Sequence, residues 1–185
     1  MAIAPRSFWY DNHMSFVYTQ PYIVVGAFIV REGKILLVQE NHPPDKGKWN
    51  IPAGKLDFGE QPTDAAKREA YEESGIDFTP TALLGVHSIY RQDVPGEVHA
   101  LRIIFSGEAQ GNVSLEHGEA VNGNAEIADY KWLTPEEVLV MSNELLRYHD
   151  IKELTRSYLN KKQYPLKLAT HIVQNPTGIA QELKS

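Results

Sequence analysis

The sequence predicts an α+β sandwich, because stretches typical of β-strands alternate with two stretches typical of α-helices. Tyr22–Val30 and Lys34–Glu40 are rich in β-branched and apolar residues, as strands are. Thr63–Ser74 and the segment that follows Thr134 carry helix start signals. The chain has 185 residues, of which 42% are apolar and 23% are charged, and this size and balance are typical of one soluble globular domain.

Composition excludes several classes of function. The chain contains no cysteine, which excludes disulfides, thiolate zinc sites and cysteine nucleophiles. Its 18 Lys and Arg residues against 24 Asp and Glu residues give a net charge of −6. An extended nucleic-acid interface needs a basic face and is therefore not expected, whereas a small phosphorylated ligand in a local pocket is compatible with this charge.

No segment predicts membrane attachment or export. The longest apolar run near the N-terminus is Tyr22–Val30, far shorter than the roughly 20 residues that a spanning helix requires. Residues 1–21 contain no continuous apolar region and no cleavage site of small residues. We therefore expect a cytoplasmic protein.

The first half of the domain is predicted as a hairpin, a loop and a helix. The two opening strands are separated by Arg31–Gly33, a turn of hairpin length. Residues 41–49 are dense in Pro, Gly and Asp and predict a loop. The helix Thr63–Ser74 follows Pro62 and is expected to stop at Gly75.

The second half of the domain is predicted as three strands. Residues 82–91 and 99–109 form two of them, joined by a turn at 93–96. A loop at 116–126 then precedes a short strand at 127–133.

A strong helix start follows that strand. Thr134 is the expected N-cap, Pro135 occupies the first turn and Glu137 completes a capping box. Apolar residues at near-helical spacing predict a helical tail through about Lys162, and after Pro165 the chain loses its pattern.

The N-terminal segment, residues 1–21, forms an aromatic arm. Such aromatics either pack on their own domain or reach a second subunit and form a homodimer, because so many exposed on a monomer would be costly. We divide the chain into this arm, a domain at 22–168 and a tail at 169–185. The aromatic residues of the arm are Phe8, Trp9, Tyr10, Phe16 and Tyr18.

Three carboxylates crowd one side of the predicted helix. At 100° per residue, Glu73 lies about 40° from Glu69, and Glu72 lies about 60° from it on the other side. Like charges at this spacing destabilise a helix. A hard divalent cation such as Mg²⁺ or Mn²⁺ would relieve the repulsion, and Arg68 could orient the cluster through Glu72. The alternative is a solvated acidic face on a surface helix.

The residues around this helix resemble the Nudix box at every fixed position. The weakest match is Ala70, which is small for the position where the box has an aliphatic residue. The Nudix hydrolases are therefore the family that the chain resembles, over about Tyr22 to Leu166. The matching residues are Gly54, Glu60, Arg68, Glu69, Glu72, Glu73, Gly75 and Ile76.

The resemblance implies a fold and a chemistry. The fold is the Nudix-type α/β/α sandwich with a mixed sheet, a catalytic loop–helix and C-terminal helices. The chemistry is hydrolysis of a pyrophosphate bond, in compounds that link a nucleoside diphosphate to another moiety, with Mg²⁺ or Mn²⁺ as cofactor. The metals would neutralise phosphate charge and activate a water.

The resemblance also implies roles for individual residues. Glu69, Glu72 and Glu73 match the metal-binding glutamates, and the carbonyl of Ala53 matches the family's carbonyl ligand. A second group, which holds loop and helix together, comprises Gly54, Glu60 and Arg68. The general base is either a box glutamate, Glu69 or Glu72, or a carboxylate on a downstream loop. Glu126 is the first choice for that carboxylate, ahead of Glu116 and Glu119.

Substrate contacts are predicted from residues near the box. Trp49 could stack a base or ring, or could pack in the core. Arg102 is a charge within an apolar strand, so it faces solvent, finds a partner or binds phosphate. Arg91, His87 and His99 are further possible contacts, or are simply exposed.

A looser resemblance concerns the substrate. The stretches LRIIF, YKWLTPEEVL, SNELLR and KKQYPL resemble a subgroup of bacterial Nudix phosphatases, which act on nucleoside di- and triphosphates and on hydroxymethylpyrimidine pyrophosphate. One alternative is a dimeric nucleotide-sugar or ADP-ribose pyrophosphatase, although the proline that marks the ADP-ribose enzymes has no clear counterpart, since Pro95 lies too far along. Removal of phosphate from an RNA end and a non-catalytic Nudix-fold module are the minor alternatives.

Overall fold

In a computed structural model the described residues are 21–95, 97–114, 126–174 and 180–182. They form three α-helices, α1 (Pro62–Ser74), α2 (Pro135–Val140) and α3 (Asp150–Leu159). They also form ten strands: β1 (Tyr22–Arg31), β2 (Lys34–Glu40), β3 (Trp49–Asn50), β4 (Ala53–Lys55), β5 (Asp77–Arg91), β6 (Val98–Gln110), β7 (Ile127–Leu133), β8 (Tyr164–Pro165), β9 (Ile172–Gln174) and β10 (Ala180–Glu182). No helix in these ranges is long and apolar enough to cross a membrane.

Eight strands form one mixed sheet. Its order is β3-β2-β1-β6-β5-β8, with β4 beside β1 and β7 beside β2. Strands β1 and β6 run parallel, and the other pairs of this sheet are antiparallel. Strands β9 and β10 pair separately, in a part of the chain where the sequence shows no pattern.

The hairpin between β1 and β2 is confirmed. Arg31 pairs with Lys34 across the turn, and the two turn residues, Glu32 and Gly33, have φ values of 50° and 74°. This left-handed backbone matches the twist of the flanking strands, which is why short hairpins favour glycine there.

Alternating residues of β1 supply two cores, one on each face of the sheet. On one face Val25, Ala27 and Ile29 pack with the alanines of α1. On the other face Val24 and Phe28 pack with residues of α2 and α3. The layers therefore run helix, sheet, helix.

The predicted helix boundaries are confirmed at both start signals. Helix α1 begins at Pro62 and is capped by Gly75, whose φ of 68° lets its N–H donate to the Tyr71 carbonyl. At α2 the Thr134 hydroxyl accepts from the Glu137 N–H, and the Glu137 carboxylate accepts from the Thr134 N–H.

The single helical tail predicted from Thr134 is wrong, because the structure breaks it. Helix α2 ends at Val140, its C-cap Met141 has a ψ of 140°, and a 3-10 turn at Asn143–Leu145 precedes α3. Between them the Arg147 N–H donates to the carbonyl of Trp49 at 2.9 Å. This bond joins the segment between the two helices to β3.

Candidate active site

Helix α1 lies close against the sheet because its contact surface is made of small side chains. Ala65, Ala66 and Ala70 are fully buried, so the helix backbone approaches the strands closely. This packing also buries Glu69 and Glu73, each only 7% exposed. The side chain of Glu72 is 43% exposed, so the three glutamates occupy two environments.

The backbone at the start of β4 contacts both buried carboxylates. The Ala53 N–H donates to Glu73 Oε2 at 2.9 Å. A Cβ on Gly54 would lie 2.3 Å from the carboxylate atoms of Glu69, so only glycine leaves room for that side chain.

Arg68 joins the helix to the preceding loop. Its Nε and Nη2 donate to the two oxygens of Glu60, each at 3.0 Å, and Nη2 also donates to the Lys55 carbonyl at 3.0 Å. Its Nη1 donates to Glu69 at 2.6 Å and to Glu72 at 3.2 Å. Every nitrogen of this guanidinium is engaged, so Arg68 orients the cluster. The hydrogen bonds from Arg68 to Glu60 lower the pKa of Glu60.

Burial and mutual repulsion raise the pKa of both buried glutamates. Burial raises the pKa of Glu69 to about 7, and the charges of Glu72 and Glu126 add to this effect against the opposing pull of Arg68. Burial raises the pKa of Glu73 well above its ordinary value, with the charges of Glu40 and Glu69 acting in the same direction. Such crowding of buried carboxylates marks functional sites more often than structural ones.

These side chains line one cleft of about 450 Å³. Seven carboxylates and three cations face it, which gives a formal surplus of four negative charges. Glu126 is exposed at the cleft, and its carbonyl accepts from the Asn41 N–H at 3.0 Å. The carboxylates are Glu40, Asp45, Asp57, Glu69, Glu72, Glu73 and Glu126, and the cations are Lys55, Arg68 and Arg147.

The donor set of the cleft fits a hard divalent cation, since carboxylate and carbonyl oxygens are what Mg²⁺ and Mn²⁺ prefer. Within the described ranges, no three His, Asp or Glu side chains are already arranged around one metal position. Arg68 instead takes up one oxygen of Glu69 and one of Glu72. The repulsion that raises the pKa of Glu69 and Glu73 is what a bound cation would relieve.

Residues 21–157 match the family model described as the NUDIX domain. The chain belongs to the NUDIX family. It is 31% identical over 149 residues to the phosphatase NudJ of Escherichia coli strain K12, an alignment that covers 80% of this chain and 90% of that protein.

Solved structures agree with this assignment of the Nudix fold. A NUDIX hydrolase from Nitrosomonas europaea superposes with a TM-score of 0.69 at 27% identity, covering 86% of this chain and all of that one. A MutT protein from Methanosarcina mazei Go1 superposes with a TM-score of 0.63 at 25% identity, covering 78% of this chain and 98% of that one. The predicted Nudix sandwich is confirmed.

The chain is therefore a Nudix hydrolase, an enzyme that cleaves a pyrophosphate bond in a small phosphorylated substrate. Nudix hydrolases generally use divalent metal ions. Of the predicted site residues, the structure brings together the box residues and Glu126 in one cleft. Glu116 and Glu119 lie outside the described residues, as does the N-terminal arm.

The structure places Arg102 away from the cleft. Its guanidinium is fully buried, forms an ion pair with Asp150 and lies 4.1 Å from the ring centre of Tyr148. Its Nη2 also donates to the side-chain oxygen Oδ1 of Asn50 at 3.3 Å. Of the three expectations for Arg102, the one that describes its position is a charge that finds a partner.

Trp49 and Arg91 also lie outside the lining of the cleft. Trp49 is 5% exposed and belongs to the core under α2 and α3, so the core alternative describes its position. Arg91 is buried and donates through Nη1 and Nη2 to the two oxygens of Asp45, each at 2.8 Å. In this position Arg91 holds Asp45, a residue of the cleft wall, and is not itself among the residues that line the cleft.

The two histidines have protein partners. His87 Nδ1 lies 3.0 Å from Asp150 Oδ2, and His99 Nε2 lies 2.8 Å from the Ser88 hydroxyl. Neither histidine is among the residues that line the cleft.

Among the residues of the cleft that sequence reasoning missed are Glu40, Asp45 and Arg147. Glu40 ends β2, Asp45 lies in the loop that follows it, and Arg147 lies between α2 and α3. No local motif joins them. The one sequence signal concerned Glu40 and Asp45, which are polar residues at the end of a buried strand and in the loop after it, because loops often carry functional residues.

Proposed function

We propose that this Nudix hydrolase releases orthophosphate from a small nucleotide or pyrimidine diphosphate, using Mg²⁺ or Mn²⁺. The observation that carries the proposal is the pair Glu69 and Glu73, two buried carboxylates that share a cleft with Glu126. The similarity to a protein named as a phosphatase, at 31% identity, favours this over the release of two monophosphates.

Four groups are proposed to hold the metal: the carboxylates of Glu69, Glu72 and Glu73 and the carbonyl oxygen of Ala53. All four residues line the cleft. A bound divalent cation supplies charge neutralisation for the phosphates and lowers the pKa of a bound water. Arg68 would keep the ligand carboxylates oriented, since it already bonds Glu69 and Glu72.

Glu126 is proposed as the general base, with the box glutamates Glu69 and Glu72 as the alternatives. Its carboxylate would accept the proton of the attacking water as the oxygen approaches phosphorus. The charge of Glu126 contributes to the raised pKa of Glu69, so the two carboxylates are near neighbours. Its exposure leaves it accessible to water.

The alternative is a dimeric nucleotide-sugar or ADP-ribose pyrophosphatase, with the arm at residues 1–21 reaching the second subunit. A non-catalytic Nudix module is the minor alternative, and the intact set of box glutamates argues against it. We also propose a cytoplasmic location. Sedimentation of the full chain tests the dimer: a species of twice 20.9 kDa supports it, and a monomer contradicts it.

Product analysis tests the proposed reaction. The purified chain is incubated with Mg²⁺ and, separately, a nucleoside triphosphate, ADP-ribose, a nucleotide sugar and hydroxymethylpyrimidine pyrophosphate. Orthophosphate from the first or last compound supports the proposal, whereas paired monophosphates from the middle two establish the alternative. Tight binding with no turnover across the panel would establish the non-catalytic module.

The variant Glu73→Gln tests the proposed metal cluster in the same assay. The Gln carbonyl can still accept from the Ala53 N–H, so the helix and loop stay joined. Loss of one metal ligand removes several kcal/mol of charge stabilisation, so turnover should fall about 10³-fold or more. Near-normal turnover in this variant would mean that the metal cluster is misassigned.

A further inference from the structure

We infer that Arg147 is a substrate-binding residue of the cleft and contacts a phosphate group of the substrate. The inference rests on the proposed function and extends it to a residue outside the Nudix box. Arg147 lies between α2 and α3 and lines the same cleft as Glu69, Glu73 and Glu126. Its side chain is 28% exposed, so part of it faces the opening.

The structure holds Arg147 in place from three sides. Its N–H donates to the Trp49 carbonyl at 2.9 Å, which fixes the backbone to β3. Its Nη1 donates to Glu40 Oε1 at 2.7 Å, and its Nε lies 3.3 Å from Asp45 Oδ2. Its guanidinium carbon lies 5.4 Å from the ring centre of Tyr148. A guanidinium so placed loses little freedom when it binds a ligand.

One nitrogen of this guanidinium has capacity to spare. Across the described ranges Nη1 of Arg147 donates to Glu40, the buried Nε faces Asp45 without a hydrogen bond, and Nη2 has no hydrogen bond. A planar guanidinium with open donors is the side chain best suited to phosphate oxygens. The pair of carboxylates therefore orients Arg147 and leaves donors for a ligand.

The other cations of the cleft are less suited to this role. Arg68 uses all three of its nitrogens on protein oxygens. Lys55 lies 5.7 Å from the ring centre of Tyr22 and also has other protein interactions. Arg147 is thus the cation of the described cleft lining that combines a fixed position with an open donor.

The charge of the cleft gives this role its importance. A phosphorylated substrate is an anion, and the cleft carries a formal surplus of four negative charges. Bound cations would offset charge beside the box glutamates. Arg147 offsets part of the charge of Glu40 and Asp45, and its open nitrogen can donate to a phosphate oxygen beside them.

Glu40 is a positioning residue for Arg147. Its Oε1 accepts from both Arg147 Nη1 and the Asn50 side-chain amide, at 2.7 and 3.2 Å. The side-chain oxygen Oδ1 of Asn50 in turn accepts from Nη2 of the buried Arg102 at 3.3 Å. The orientation of the cleft arginine is therefore set by a chain of hydrogen bonds that begins in the core.

The test compares Arg147→Gln and Arg147→Lys with Arg156→Gln, a matched loss of an exposed arginine on α3. KM and kcat are measured on whichever panel compound the unmodified chain hydrolyses. A charge-assisted hydrogen bond predicts a KM that rises roughly 10- to 100-fold in Arg147→Gln, with kcat nearly unchanged. Lys should restore part of the affinity, and Arg156→Gln should match the unmodified chain.

Two binding measurements separate this inference from the proposed function. Binding of methylenediphosphonate with Mg²⁺, a probe that cannot be hydrolysed, should weaken in Arg147→Gln even if no panel compound is turned over. Binding of Mn²⁺ alone should be retained in that variant, because all the proposed metal ligands are still present. An unchanged KM or unchanged diphosphonate binding overturns the inference, and so does a loss of Mn²⁺ binding, because Arg147 would then act through the metal site.

A double variant guards against a folding artefact. Arg147→Gln alone leaves Glu40 without its ionic partner, whereas Glu40→Gln with Arg147→Gln removes both charges. The inference predicts that the double variant unfolds at a temperature close to the unmodified chain and still binds diphosphonate weakly. Recovery of normal binding in the double variant overturns the inference, because the defect would then come from the unpaired Glu40.

Discussion

The carboxylate of Glu69 lies directly against the backbone of Gly54, so that a Cβ on that glycine would be 2.3 Å from its atoms. Gly54 is therefore required for space. The side chain that it accommodates is one of the proposed metal ligands, and Arg68 holds that side chain from the other side at 2.6 Å. A methyl group at position 54 would have to displace the carboxylate.

Gly54→Ala should therefore lose activity without losing the fold. The displaced Glu69 carboxylate is the end of a side chain and can move at little cost in stability, but it then no longer points at the metal position. We expect at least about a 10²-fold lower kcat/KM, as for other removed charge-stabilising contacts. Enzyme assays and thermal unfolding of the same preparation measure both effects.

Gly33→Ala is the opposite control. Gly33 has φ of 74° and open space around it, so an added methyl group meets no atom but strains the backbone by about 1 kcal/mol. This variant should lose stability and keep its activity. If Gly54→Ala instead behaves like Gly33→Ala, the close approach to Glu69 has no functional role.

Much of this fold could be predicted because its signals are local. Gly75 stops α1 and Thr134 caps α2, and each acts through atoms within four residues in the chain. The break between α2 and α3 could not be predicted from local spacing, and the segment after the break is bonded to Trp49 through Arg147, a contact between residues far apart in sequence. Residues at helical spacing fitted a continuous helix equally well.

The candidate site divides in the same way. The box residues come from one loop and one helix, so their spacing predicted the crowding of the carboxylates, and the resemblance to the Nudix box implied their chemistry. Glu40 and Arg147 are joined only when β2 and the segment after α2 meet across the fold, at 2.7 Å. Arg102 looked like a possible phosphate contact because a sequence does not show a buried partner such as Asp150.

Glu126→Gln tests the proposed general base. Gln has the same shape but cannot take a proton from water, so kcat should fall about 10²-fold, the lower end of what general bases contribute. The fall should be smaller than in Glu73→Gln, because metal binding is kept. We would measure kcat from about pH 6 to about pH 9, the range in which such bases act. The rise of kcat with pH should be shallower in the variant than in the unmodified chain. An unchanged kcat would assign the base to a box glutamate.

The raised pKa of Glu69 predicts a pH dependence of stability in the absence of metal. The ordinary pKa of 4.5 is raised by burial to about 7, so the folded state favours the protonated carboxyl. Stability from this group is therefore present at low pH and is lost as the pH rises from about 4.5 to about 7. The loss is of order 3 kcal/mol at most.

Glu69→Gln should remove this dependence. Thermal unfolding is measured without metal from about pH 5 to about pH 8, a range that spans this titration. The unfolding temperature of the variant should rise relative to that of the unmodified chain as the pH increases. Mg²⁺ should raise the unfolding temperature of the unmodified chain more at the higher pH, because metal binding requires the ionised carboxylate. A difference between the two proteins that does not vary with pH would contradict the assignment.

The buried pair Arg102 and Asp150 should matter for stability and not for substrate affinity. Arg102→Met leaves the buried Asp150 with His87 Nδ1, at 3.0 Å, as its one remaining ion-pair partner among the described residues, and breaking a buried pair in this way costs about 3–5 kcal/mol. Adding Asp150→Asn removes the unpaired charge and should recover part of the loss. Urea unfolding measures the stability, and KM is measured on the protein that remains folded. A raised KM without a loss of stability would show that Arg102 reaches the substrate after all.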